Sequence, residues 1–141
     1  MQLTQLITNK ILLSLLFSWL TAATIKFAIN NKKNGYSPGL FIATGGMPSS
    51  HVAFSTALMI ATGLTEGFTS TLCIITFGLE VIIIHDAINL RGKIDRRFEQ
   101  VAKKIKLSKF DDTGSIGHHL PEVIAGIIIG ILVPLIIFTF F

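Results

Sequence analysis

From Val123 to Phe141 the chain carries no charged residue, and nearly every side chain is aliphatic or aromatic. A helix needs roughly 20 mainly apolar residues to cross the hydrocarbon core of a bilayer, and a helix apolar on every face otherwise belongs deep inside a large protein. A chain of 141 residues offers no such interior, so this stretch assigns it to a membrane. Four apolar stretches approach the length of a span: residues 11–29, 48–65, 68–88 and 120–141. The second is the weakest, because its apolar part, Val52 to Leu64, is short for a bilayer and admits either a full span or a re-entrant hairpin.

Composition agrees, with 14% charged residues against about 25% in an ordinary soluble domain and a mean hydropathy of +0.67. No repeat, low-complexity tract or linker interrupts the four stretches. The expectation is an all-α fold, an integral membrane bundle of about four transmembrane helices forming one domain over residues 1–141. Gly126 and Gly130, spaced GxxxG, would let the fourth helix pack closely on a neighbour. The first apolar run lacks a basic n-region and a small-x-small cleavage site and is long enough to span, so it reads as a retained helix. A single cysteine, Cys73, excludes a disulfide framework.

Twelve Lys and Arg against eight Asp and Glu leave a net charge of +4, and the basic residues are concentrated in two connections. Lys32 and Lys33 follow the first stretch, and Arg91, Lys93, Arg96, Arg97, Lys103, Lys104, Lys106 and Lys109 lie between the third and fourth, whereas the second connection offers only Glu66. The positive-inside rule places the first and third connections in the cytoplasm. Ile94, Phe98, Val101, Ala102 and Ile105 share one helical face within the third connection, which predicts a basic amphipathic helix lying on an anionic membrane surface. A solvated basic loop that merely obeys the topology rule is compatible with the same residues. The expected partner is the lipid bilayer, with no nucleic acid required; self-association into a homo-oligomer is left open.

Two constellations carry chemistry. Gly45 to His51 reads Gly-Gly-Met-Pro-Ser-Ser-His, with glycines for a tight turn and Pro48 suited to a helix start. A helix start offers backbone amides and a positive dipole end to an anion, Ser49 and Ser50 add hydroxyls, and His51 adds an acid or base. Taken alone, these residues read as an ordinary helix start. The second constellation opens the fourth helix: His118 and Glu122 stand four apart and His119 and Glu122 three apart, so the carboxylate can orient either imidazole.

Gly45–His51, the stretch Asp86 to Arg91, and the pattern Gly117-His118 to Glu122-Val123 together resemble the divergent branch of the type 2 phosphatidic acid phosphatase superfamily, relatives of the vanadium haloperoxidases. The resemblance covers most of the chain and keeps three motifs in order. It implies a membrane phosphatase acting on a phosphomonoester or pyrophosphate, expected to be that of a lipid, with no metal or other cofactor. On that pattern His118 is the nucleophile that takes the phosphoryl group, Glu122 orients it, and His51 is the general acid; His119 is the rival nucleophile. Lys26, Lys33, Ser49, Ser50 and Arg91 would bind the phosphate, and Asp86 marks the divergent branch. Three positions depart from the superfamily pattern: Lys33 stands where an Arg-Pro pair belongs, Ser50 replaces glycine, and Asp112 occupies the place of the arginine before the nucleophile. These departures support an alternative, a lipid-phosphate binding or handling protein with weak catalysis or none.

Glu80, inside an apolar stretch, admits two readings: a partner for Lys26 or a lipid headgroup, or a carboxylate near the outer third that reaches water. His85 reads as structural, and Trp19, Cys73, Phe138, Phe140 and Phe141 read as lipid or interface contacts.

Overall fold

The computed structural model describes residues 8–34, 46–90 and 119–141, with residues 93, 97, 100 and 101 between them. The described residues form four α-helices and no strand: α1 (Lys10–Asn34), α2 (Ser50–Glu66), α3 (Thr71–His85), which runs on into a π-helical turn (Asp86–Leu90), and α4 (Leu120–Phe140).

Each start is capped by a residue that the local sequence supplies. Asn9 Oδ1 accepts from the Leu12 amide at 3.1 Å, Ser49 Oγ from the Val52 amide at 3.4 Å, and Ser70 Oγ from the Cys73 amide at 3.2 Å, so orphan donors of the first turns are satisfied. At α4 the Glu122 carboxylate reaches back to the His119 amide at 3.3 Å, one half of a capping box. Helix α2 stops at Gly67, whose φ of +91° suits a residue without a Cβ.

The helices are sorted inside out relative to a soluble bundle. Ala22, Ala23, Val52, Ala53, Ala57 and Ala61 are buried together with Ser14, Ser18, Ser55, Thr56 and Thr62, whereas Ile74, Ile75, Phe77, Ile82 and Ile136 point outward. Small residues let backbones approach, and large aliphatic ones meet lipid, as expected where no water drives helices together. Three helices, at Lys10–Asn31, Thr71–Leu90 and Leu120–Phe140, are long and apolar enough to cross a bilayer.

Helix α2 packs against α1, α3 and α4, most extensively against α4. This position accounts for its composition: the most hydroxyl-rich helix packs among the other three. It is one continuous helix of 17 residues, about 25 Å long, so the re-entrant hairpin admitted by the sequence does not form. The expected glycine seam does form, since a Cβ on Gly126 would lie 2.7 Å from the Ser49 carbonyl oxygen and one on Gly130 would lie 2.5 Å from Thr56 Cβ.

Of the amphipathic helix expected in the third connection, Lys93, Arg97, Gln100 and Val101 are helical and exposed; the remainder lies outside the described residues.

Candidate functional site at one end of the bundle

Two contacts and one shared cleft bring separate helix ends together. The Ser49 amide donates to the Glu122 carbonyl oxygen at 3.0 Å, joining the starts of α2 and α4. Lys26, near the end of α1, donates from Nζ to Ser50 Oγ at 3.3 Å. At the end of α3, Asp86 lines a cleft of about 310 Å³ together with His51. The helices therefore alternate in direction, and every motif residue among those described lies at one end.

Lys26 is the centre of this end. It is 2% exposed, and an ammonium so buried in a membrane helix calls for compensation. Its compensation is the Ser50 hydroxyl and the charge of Glu122. Gly46, beside Asn30 and Lys26, has a φ of +84°, a conformation that suits a residue without a Cβ.

Ser49 and Ser50 divide their work. Ser49 is fully buried and its hydroxyl oxygen is committed to the Val52 amide, so it holds the helix start. Ser50 accepts from Lys26 through a lone pair, which leaves its own O–H to donate.

His51, one residue on, turns to the other side of α2 and is exposed. Its cleft is walled by Trp19, Phe54, Ile82, Ile83 and Ala87, with Asp86 opposite in the first position of the π turn. Such turns insert a residue into a helix and recur at functional sites. Only shared position at this end, read from helix parity, could have paired His51 with Asp86 from sequence.

Several expectations are corrected or fall outside view. Glu80 neither meets Lys26 nor reaches water: it is 4% exposed, its Oε1 accepts from Thr56 Oγ1 at 2.5 Å, and its Oε2 has no hydrogen-bond partner among the described residues. Cys73 is buried rather than lipid-facing. The Glu122 carboxylate caps the His119 amide, while His119 itself is exposed at the N-cap of α4. His118, Arg91 and Asp112 lie outside the described residues, as does the side chain of Lys33.

One end of the bundle thus gathers a buried ammonium, a hydroxyl and a helix start, with an imidazole and two carboxylates on the same side. The fold defines an integral membrane protein of packed helices with a buried lysine at one end. Residues 7–133 match the Divergent PAP2 family, and the chain belongs to it. It is 32% identical to the uncharacterized membrane protein YuiD of Bacillus subtilis (strain 168), over 97% of this chain and 99% of that protein. No solved structure matches.

Proposed function

We propose that this protein is a membrane phosphatase, a single domain whose cytoplasm-facing end hydrolyses the phosphomonoester or pyrophosphate of an amphiphilic lipid. The observation that carries the reading is the Lys26–Ser50 contact beside the start of α2, a buried cation placed among the family's motif residues.

In the proposed reaction an imidazole nitrogen of His118 attacks phosphorus. The bond from phosphorus to the leaving oxygen breaks, and His51 delivers its proton to that oxygen. Water then attacks the phosphohistidine, His51 takes the water's proton, and the bond to His118 breaks to release phosphate. Lys26, Ser50, Lys33 and Arg91 hold the phosphoryl oxygens, where fixed cations stabilise spread negative charge. Ser49 supports them by fixing the helix start, and Asp86 stands across the cleft from His51.

Phosphate release by the detergent-purified chain tests the reading, with phosphatidic acid, isoprenyl phosphates and pyrophosphates, and a soluble phosphomonoester as substrates. Release abolished by vanadate and by His118→Ala is expected; full activity in His118→Ala would sink the proposal. The engagement of the Glu122 carboxylate at the His119 amide favours a second reading, a phosphate-binding protein without turnover. Headgroup binding that survives His118→Ala, with no release from any substrate, is its signature.

A further inference from the structure

Two apolar hollows lie one behind the other between α1 and α4. The nearer, of about 220 Å³, is lined by Ile25, Ile29, Met47, Pro48, Ala125 and Ile129, among others. The farther, of about 460 Å³, continues between Phe17 and Thr21 of α1 and Val133 and Ile137 of α4. Every fourth residue of α1 from Leu13 to Ile29, and every fourth residue of α4 from Ala125 to Ile137 together with Phe141 at its C-cap, faces one or the other hollow. Residues four apart stack along one side of a helix, so the two hollows form a single seam. From Ile29 to Leu13 it runs about 24 Å, most of the hydrocarbon thickness of a bilayer.

The two ends of the seam differ. At the far end Lys10 Nζ stands 5.4 Å over the ring of Phe138, bridging α1 and α4. At the near end the wall is Met47 and Pro48, which lead directly into Ser49 and Ser50, with Lys26 on the adjoining position of α1. The walls are part-open to lipid, with Phe17 51%, Ile25 40% and Ile128 50% exposed, so a chain can enter sideways. An apolar groove whose near end is walled by Pro48, two residues before the Ser50 that Lys26 bonds, suits a molecule with one long hydrocarbon chain and an anionic head. The cleft at His51 has no comparable run of stacked residues.

We propose that the α1/α4 seam is the binding site for a single linear hydrocarbon chain of the phosphate-bearing ligand, and that it selects long-chain over short-chain phosphates. Calling that ligand a substrate rests on the phosphatase reading; its binding in the seam does not. Filling the seam removes contacts that each buried methylene would make.

The probe is a long-chain n-alkyl phosphate with a diazirine at the chain end, cross-linked to the full chain in detergent and mapped by peptide. Labelling concentrated near Phe17 and Val133, competed by unlabelled alkyl phosphate and absent with the matching alkyl alcohol, is expected. Ala125→Phe and Thr21→Trp should each lower it by about tenfold or more, and Ile75→Trp, on the lipid face of α3, should not. Labelling in the cleft around Phe54 and Ile82, or spread over all lipid-facing residues equally with the alcohol, overturns the assignment. In the wild type, cross-linking at the seam without phosphate release would refute catalysis and leave the seam intact. Release with chain-length-independent KM, unchanged in Ala125→Phe, would refute the seam and leave catalysis intact.

Discussion

The amide of Ser49 donates to the carbonyl oxygen of Glu122 at 3.0 Å, so the first turn of α2 is tied by its backbone to the first turn of α4. One turn further along α4, Gly126 makes this approach possible, because any side chain there would press on the Ser49 carbonyl. Close packing of two helices and the geometry of the proposed phosphate site are therefore one feature.

Gly126→Ala should accordingly separate the two helix starts. A Cβ 2.7 Å from a backbone oxygen forces a shift, and overpacking of this kind costs about 1–3 kcal/mol. Thermal unfolding in detergent should show the loss, and phosphate release should fall with it. Gly78→Ala is the control: its Cβ would meet nothing within 4 Å, and alanine's better helix propensity makes it neutral or slightly stabilising.

Lys26→Met should keep the stem of the side chain but remove the ammonium that Ser50 and Glu122 face. Hydrogen bonds to charged groups contribute about 1.5–3 kcal/mol, so vanadate should inhibit this variant roughly tenfold or more less tightly. Inhibition at the wild-type concentration would remove Lys26 from the site.

Thr56→Val deletes the hydroxyl that Glu80 accepts from and leaves both carboxylate oxygens without a partner among the described residues. An orphaned buried polar group costs about 1–3 kcal/mol, more when charged. The double variant Thr56→Val/Glu80→Leu removes both polar partners and should recover much of that loss. A double variant less stable than Thr56→Val alone would contradict this pairing.

Orientation is testable by thiol accessibility, with Cys73 replaced by alanine. Asn34→Cys should react with a membrane-impermeant reagent only from the cytoplasmic side, and Glu66→Cys only from the opposite side. The reverse pattern inverts the proposed topology.

The spans were readable because a bilayer sets one length and one polarity, and Val123 to Phe141 satisfies both. Gly126 and Gly130 were readable for a related reason: close packing needs small residues at a fixed spacing. Helix α2 was harder, since hydropathy measures suitability for lipid and α2 sits among the other helices; Ala53, Ala57 and Ala61, four apart, were the available sign of burial on a helix–helix face. The pairing of Lys26 with Ser50 and Glu122 joins residues far apart in sequence, and no local pattern reports such a contact. Glu80 was misplaced for the same reason, because its partner Thr56 looks like any other hydroxyl within an apolar run.

The proposed reaction passes through a phosphohistidine, which is lost in acid, so an acid quench cannot reveal it. Brief reaction with a radiolabelled lipid phosphate, quenched in alkali and mapped by peptide, tests it most directly. Label on His118, absent in His118→Ala and retained in His119→Ala, is expected. Phosphate release with no label on His118, or label that moves to His119 in the wild type, would contradict it.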